Sequence, residues 1–338
     1  MRDSSVDWVK LTLDRFLWVV IVLIAIFFAW RAPGFVTGVN FVNLLLHASV
    51  LGLLVVGQSI CLLSGNFDLS IEGNIQLVAV LAGWMMVPAG GFEGGGGWVL
   101  SPFVVIPIVL ALGGVIGVLN GMMITRLRMN NFIVTLAMQL VLGGIAFLIS
   151  RGFDINHIPA AFVWLGSHAF GPIPVQIIFT ALAFIGFHFF LGSSRFGRQL
   201  YGVGGNREAA RASGIDPRIV ITKAYILNGV IVAVAAWMLL GRVGQANTRI
   251  GVGTTLETVA AAVIGGVALT GGYGSVGGAF GGVLLLSVID NGLNLMSVNA
   301  FWIQGIRGFI ILLALFIEAQ KFRYKPRMRV GSMTGTAG

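Results

Sequence analysis

Long stretches without a charged residue constrain the fold of this chain more than any other feature. Phe16 to Trp30, Phe103 to Gly121 and Gly308 to Ile317 contain no Asp, Glu, Lys or Arg and show no amphipathic alternation. A helix needs about 20 apolar residues to cross the hydrocarbon layer, and irregular backbone is not tolerated against lipid. The sequence therefore predicts an all-α integral membrane protein, a polytopic bundle of about ten transmembrane helices.

The predicted spans occupy most of the chain. They cover residues 16–30, 41–63, 72–88, 102–124, 132–149, 175–191, 221–240, 256–270, 277–296 and 302–318. Because lipid provides little hydrophobic drive between helices, small residues repeated every four positions favour close helix packing. The chain has 49 glycines, and this spacing occurs at Gly113, Gly117 and Gly121, and again at Gly274, Gly278 and Gly282.

The positive charge of the chain lies mainly on one side of the predicted spans. With the N-terminus in the cytoplasm, sixteen of the 21 Lys and Arg residues fall on cytoplasmic segments and four on external connections. This bias predicts that both termini are cytoplasmic. The net charge of +9 is therefore a topology signal. It favours contact with anionic lipid headgroups and argues against binding to nucleic acid.

Two connections between spans are unusual because they are rich in glycine and contain neither Lys nor Arg. They are SGNFDLSIEG at 64–73 and TGGYGSVGG at 270–278. Backbone at membrane depth must line a cavity or be buried in protein. The two segments are therefore either inner loops or breaks within discontinuous helices. Their similarity, LLSGNF beside ALTGGY, is either a faint internal repeat or chance.

Polar residues next to the first of these connections are candidates for a functional site. Asp68, Ser70 and Glu72 lie at the start of the third predicted span. An oxygen of Asp68 or Ser70 can cap that helix by accepting hydrogen bonds from its first N–H groups. Because a carboxylate at membrane depth is costly, the same residues are candidates for a translocation path or gate.

A second polar group lies in LLLSVIDNGLNLM, near the end of the ninth predicted span. The spacing of Asp290, Asn291 and Asn294 places them near one face of a helix. They either hydrogen-bond across helices or line the translocation path, and an amide-rich lining favours a neutral polar solute over an ion. A proton-coupled carrier would use such carboxylates, with Glu257, as relays.

No arrangement of residues predicts catalysis, a metal site or a nucleotide site. The four histidines are scattered, and none has the spacing of a zinc site or the partners of a catalytic triad. The motif G-x-x-x-x-G-K-[ST] does not occur, so the chain binds no nucleotide through a P-loop. We therefore predict that the chain is not an enzyme and holds no metal and no cofactor.

Charge is concentrated in the connection between the sixth and seventh spans, around GGNREAARASGID. Asn206 is placed to cap a short helix that begins at Arg207, and Gly214 is placed to end it. Such a helix is too polar to enter lipid and would project from the cytoplasmic face. It either binds lipid headgroups or presents its three alanines, Ala209, Ala210 and Ala212, to a groove in another protein.

The stretch FGRQLYGVGGNREAARASGI, from Phe196 to Ile215, resembles the cytoplasmic coupling segment of the permease subunits of ribose-type sugar ATP-binding-cassette importers. LLSGNFDLSIEG resembles a segment of that family that ends in Gly-Gly-Ile-Asp-Leu-Ser. AAAVIGGVALTGGYGSVGGAFGGVLL and NGLNLM resemble its C-terminal third. The resemblance extends over residues 35–318 and places the chain in the branched-chain-amino-acid and ribose permease superfamily.

The resemblance implies one permease domain over residues 1–320, with a cytoplasmic coupling segment at 193–220 and a basic cytoplasmic tail at 321–338. It implies a place in the bacterial inner membrane and a path for a monosaccharide or related polyol. The implied partners are cytoplasmic ATP-binding subunits, an extracytoplasmic solute-binding protein and a second permease subunit, identical or paralogous. The residues implied in ATPase contact are Gly205, Asn206, Arg207, Glu208, Ala209, Arg211 and Gly214.

The sequence departs from the family pattern at four positions. Asn66 and Phe67 stand where Gly and Ile are usual, Glu72 replaces a small residue, and Asp290 stands where Asn is common. These positions lie beside the predicted path or gate, so the departures leave the identity of the sugar open. The alternative function is an ion-coupled secondary carrier for a small polar solute. The external connection at 150–174 either docks an external protein or is an ordered connection.

Overall fold

A computed structural model describes residues 4–88, 90, 92–93 and 96–323, which form thirteen helices and one short hairpin. The predicted basic tail lies outside the described residues from position 324 onward. The elements are α1 (Ser4–Arg31), α2 (Gly38–Leu63), α3 (Ile71–Met86), α4 (Pro102–Thr125), α5 (Asn131–Ser150), α6 (Ala160–Ser167), β1 (Ala169–Phe170), β2 (Ile173–Pro174), α7 (Val175–Ser193), α8 (Arg195–Gly205), α9 (Arg207–Ala212), α10 (Pro217–Val243), α11 (Thr254–Ile264), α12 (Val276–Leu295) and α13 (Ala300–Arg323).

The long apolar helices confirm the prediction of an all-α membrane bundle. Six helices are long and apolar enough to cross a membrane, namely α2, α4, α5, α7, α10 and α12. Four shorter apolar segments of 10 to 17 residues occur in α1, α3, α11 and α13. Because these four are short for a complete span, the count of about ten spans stays a prediction.

Helix α10 is the centre of the bundle and packs against α2, α3, α4 and α6. Its contact with α4 confirms the packing role predicted from the first glycine series. A side chain at Gly113 would collide with the backbone of Gly229, and one at Gly117 would collide with the backbone of Tyr225. The two helices therefore approach through bare backbone, as small residues permit in membranes.

Both glycine-rich connections separate two helices in the structure, with shifted boundaries, and they are here called the first and the second break. The first covers residues 64–70, because α3 begins at Ile71. The second covers residues 265–275. The eighth predicted span, 256–270, therefore extends six residues beyond the end of α11 at Ile264. Helix α11 ends early because Gly265 follows it and Gly266 has φ +89°, a conformation that favours glycine.

The connection between α5 and α7, which the charge bias predicts to be external, is an ordered segment. It contains α6 and the β1–β2 hairpin, and Ile155 exchanges backbone hydrogen bonds of 2.8 and 2.9 Å with Ala246. Trp237 of α10 donates its indole N–H to the carbonyl of Phe162 at 2.6 Å. These bonds fix the connection between α5 and α7 to the bundle.

Candidate functional site

The predicted short helix of the coupling segment is present as α9. The Asn206 Oδ1 atom accepts hydrogen bonds from the N–H groups of Glu208 and Ala209 at 2.9 and 3.0 Å. This is the N-cap expected from the sequence. Gly214, with φ +78°, follows the helix and turns the chain toward α10.

Helix α9 presents a charged outer surface. Arg207, Glu208 and Arg211 are exposed, and the carboxylate of Glu208 forms no hydrogen bond or ion pair within the described part of the chain. Ala210 is only 5% exposed and belongs to the core. The prediction of an exposed surface of three alanines is therefore wrong for Ala210, the fourth residue of α9, which faces inward. Of the three alanines, Ala209 and Ala212 face outward.

The coupling segment and both helix breaks meet at five glycines, here called the glycine junction: Gly65, Gly204, Gly205, Gly271 and Gly272. The N–H of Gly272 donates to the carbonyl of Leu63 at 3.0 Å. A Cβ atom at Gly271 would lie 2.5 Å from the backbone nitrogen of Gly65, and one at Gly272 would lie 2.5 Å from the Cα of Gly205. At these glycines, three chain segments therefore touch directly through backbone atoms.

Two side chains of the coupling segment bind the breaks as well. Arg207 Nη2 lies 3.4 Å from both the carbonyl oxygen of Gly65 and Oδ1 of Asn66 in the first break. The hydroxyl of Tyr201 in α8 donates to the carbonyl of Gly274 in the second break at 2.9 Å. The end of α8 and the start of α9 are thus attached to both interruptions of the bundle.

The first break lies inside the protein and is fixed by Asp68, which is 3% exposed. Asp68 Oδ1 accepts from the N–H and the hydroxyl of Ser70 at 2.8 and 2.6 Å. Asp68 Oδ2 accepts from the Asn228 amide at 2.8 Å. Asn228 is the twelfth residue of α10 and lies about 17 Å along that helix at 1.5 Å per residue. The carboxylate therefore connects the break to the middle of the central helix.

The capping role predicted for Asp68 or Ser70 is wrong. Ser70 occupies the N-cap position of α3, but its side chain makes no capping hydrogen bond. The Ser70 hydroxyl donates to Asp68 and accepts from the Asn120 amide of α4 at 2.8 Å. The buried Asp68 carboxylate needs hydrogen-bond donors, and the Ser70 side chain satisfies this need instead of capping α3.

Glu72 connects α3 to α11. Glu72 Oε2 accepts from the N–H of Gly253 at 2.9 Å, and the N–H of Glu72 donates to the Thr255 hydroxyl at 3.2 Å. Glu72, one of the four departures from the family pattern, therefore binds the start of α11, the helix that ends at the second break. Its two hydrogen bonds are a further link between the helices that adjoin the two breaks.

Asp290 belongs to a charged cluster formed by three helices. Arg307 of α13 binds both oxygens of Asp290 at 2.7 Å, through Nε and Nη2. Arg307 Nη1 lies 3.6 Å from Glu257 Oε2 of α11. The paired geometry toward Asp290 is the strong fork arrangement of arginine and carboxylate.

The structure separates Asn291 from Asp290 and Asn294. Asn291 and Asn40 of α2 exchange two amide hydrogen bonds of 2.9 Å, so this side chain connects helices. Asn294 is exposed, and its amide donates to the carbonyl of Asp290 at 2.7 Å. The three residues lie within about 100° of one another around α12, as expected, but Asp290 and Asn291 at the two edges of this arc contact different helices.

Several residues of these sites were missed from the sequence. Gln58 accepts from the N–H of Asp68 at 3.3 Å, and Asn120 and Asn228 complete the network around the break. Each of these three residues is recognisable in the sequence as a polar side chain in the middle of an apolar span. Arg307 carried a stronger signal, since it is a cation within the predicted last span and requires a partner there.

Comparison with known proteins identifies the family. Residues 40–315 match the family model of the branched-chain amino acid transport system permease component. The ribose import permease of Escherichia coli strain K12 is 30% identical over 305 residues, which are 89% of this chain and 92% of that protein. No solved structure matches the chain.

Two further relatives are similar over most of their lengths. The L-arabinose transporter permease of Azospirillum brasilense is 32% identical over 302 residues, 88% of this chain and 85% of that protein. The galactose and methyl galactoside import permease of Escherichia coli K12 is 32% identical over 324 residues, 91% and 94% of the two chains. The chain belongs to the family of branched-chain amino acid transport system permease components.

Proposed function

We propose that this chain is the transmembrane permease subunit of an ATP-binding-cassette importer and forms the path for a monosaccharide or related polyol. The three relatives described above carry ribose, arabinose and galactose in their names. The observation that carries the proposal in the structure is the glycine junction, because it attaches an exposed segment, predicted to be cytoplasmic, directly to two breaks of the bundle. An external motor needs such an attachment to move a gate.

The outer surface of α9 is the proposed contact with the ATP-binding subunit. With the residues that flank the helix, this contact comprises Gly205, Asn206, Arg207, Glu208, Ala209, Arg211 and Gly214. Arg207 has the second task of attaching α9 to the first break through Gly65 and Asn66. Movement of α9 on ATP binding would then change the position of the break through this side chain and the adjacent backbone contacts.

The external connection between α5 and α7 is the proposed contact with the solute-binding protein. Trp164 and His168 stack with ring centroids 5.3 Å apart, and the ring of Phe170 lies edge-on to both. Trp164 is 45% and Phe170 60% exposed. Exposed aromatic side chains on an ordered segment suit protein binding.

The proposed path or gate contains the residues of the two polar groups: Asp68, Ser70, Glu72, Asp290, Asn291 and Asn294. Asp68 and Ser70 hold the first break, and Glu72 holds the start of α11. Asp290 and Asn294 lie beside each other on α12. We further propose that a second permease subunit closes the path, and that both termini of this chain are in the cytoplasm of a bacterial inner membrane, as the charge bias indicates.

The ion-coupled alternative predicts a different result for one substitution. We expect Asp68→Asn to retain near-normal uptake, because Asn keeps an oxygen for Ser70 and the Asn228 amide can rotate to accept, since its Oδ1 has no partner. A proton relay at this position would lose transport. Asp68→Ala is the destabilised control, since it leaves buried donors without an acceptor at about 1–3 kcal/mol each. Uptake and thermal unfolding of the three proteins decide between the roles.

Reconstitution tests the proposed function directly. The chain is placed in proteoliposomes alone, or with its cognate ATPase subunit and solute-binding protein. We expect sugar uptake only with all components and ATP, and co-purification of the permease with the ATPase. Accumulation by the chain alone on a pH gradient would overturn the proposal. A variant in which a Gly-Ser linker replaces residues 204–216 provides the uncoupled control.

A further inference from the structure

The charged cluster of Glu257, Asp290 and Arg307 lies within the apolar part of the bundle. Asp290 is the fifteenth of 20 residues of α12, and Arg307 is the eighth residue of α13. At 1.5 Å per residue they lie about 8 and about 10 Å from the ends of their helices that meet at the 296–299 turn. A layer of about 30 Å therefore includes the cluster at hydrocarbon depth.

The cluster is not sealed within this chain. The side chain of Arg307 is 36% exposed, whereas those of Glu257 and Asp290 are 14% and 13% exposed. Asn294, the second-last residue of α12, is exposed as well and lies nearer the end of the helix. An open guanidinium at the depth of Arg307 is too costly to face lipid, so this face must border water or protein.

The surroundings of the cluster are polar on other helices too. His47 of α2 interacts electrostatically with Asp290 and Arg307, and also with Arg242 of α10. The Ser287 hydroxyl, one helical turn before Asp290, is 3% exposed and has no hydrogen-bond partner. Such a set of groups from five helices is unusual in an apolar bundle and indicates a functional region.

We infer that Glu257 and Arg307, together with Asp290 and Asn294, form a binding site for the hydroxyl groups of the transported solute. The inference rests on the proposed function and names the site along its path. A sugar hydroxyl both donates and accepts, so it matches carboxylates as acceptors and a guanidinium or amide as donors. Glu257 is the carboxylate that can turn most easily from Arg307 to a sugar hydroxyl, because its 3.6 Å contact with Arg307 is longer than the 2.7 Å contacts of Asp290.

Chemical accessibility tests whether this face borders water. In the assembled importer, Asn294→Cys is expected to react with a charged, membrane-impermeant thiol reagent. The control is Ile185→Cys, a 54% exposed position in the apolar helix α7, which we expect to face lipid and to react slowly. The native Cys61 is fully buried and contributes no background. An Asn294→Cys protein as unreactive as the control overturns the inference.

Protection by sugar tests solute binding. Ribose, galactose and arabinose are added separately on the order of 10 mM, because a transport site must be weak enough to release its solute. At least one is expected to slow modification of Asn294→Cys severalfold, and Glu257→Gln in the same background is expected to reduce this protection. Protection by no sugar overturns the inference even where ATP-dependent uptake shows that the proposed function holds.

A charge exchange separates solute contact from a merely structural ion pair. The double variant Asp290→Arg with Arg307→Asp retains an ion pair between α12 and α13. We expect it to insert and bind the ATPase normally while uptake and sugar protection remain severalfold lower. Full recovery of both would show that only the pairing matters, and it would overturn the binding role.

Discussion

Glu208→Lys is expected to abolish solute uptake and to remove the stimulation of ATP hydrolysis by the permease, while the chain still inserts and folds. The Glu208 side chain is exposed and makes no ion pair among the described residues, so its replacement disturbs no contact within the bundle. Disrupting a charge pair at an interface costs about 2–5 kcal/mol, which weakens binding about 30-fold to about 4,000-fold. Uptake in proteoliposomes and co-purification with the ATPase subunit measure the effect.

The design requires a control for the change of charge itself. Glu93→Lys makes the same change at an exposed position of the connection between α3 and α4, on the opposite side of the bundle, and is expected to leave both measurements unchanged. Glu208→Gln removes the charge without reversing it and should give an intermediate loss. Normal uptake by Glu208→Lys would refute the assignment of α9 as the ATPase contact.

The apolar sequence predicted the fold because lipid leaves few alternatives for a chain of this composition. Uncharged stretches define the long helices, and the glycine series defines the close approach of α4 and α10. Helix ends within the bundle were less predictable. The end of α11 at Ile264 depends on Gly265 and Gly266, and glycine also occurs inside apolar helices of this chain.

The sites were predictable only as residue types. The sequence identified Asp68, Glu72 and Asp290 as costly carboxylates, but their partners lie on distant segments. Asn228 is 160 residues from Asp68, and Gly253 is 181 residues from Glu72. No local pattern contains such pairings. A search for polar residues inside spans would have found Asn228 and Arg307 as candidates without assigning their partners.

Gly204→Ala is expected to uncouple ATP hydrolysis from transport. A Cβ atom at this position would overlap the carbonyl oxygen of Leu63 and lie 2.5 Å from the backbone nitrogen of Gly272. Backbone atoms cannot rotate away as side chains do, so the coupling segment must separate from the breaks. Overpacking of this kind costs about 1–3 kcal/mol, and it acts at the point where α8 joins α9. The ATPase would still bind α9, but its movement would no longer reach the first break.

Gly202→Ala is the matched control, because it adds the same methyl group to the same helix at a position with no atom within 4 Å. We expect it to leave transport unchanged, whereas Gly204→Ala should raise the number of ATP molecules hydrolysed per sugar imported about tenfold, as a coupling loss of about 1.4 kcal/mol implies. Binding of the ATPase subunit should be equal in both proteins. If Gly204→Ala hydrolyses the normal number of ATP molecules per sugar imported, the glycine junction can separate without loss of coupling. Movement of α9 must then reach the breaks through Arg207 and Tyr201 instead.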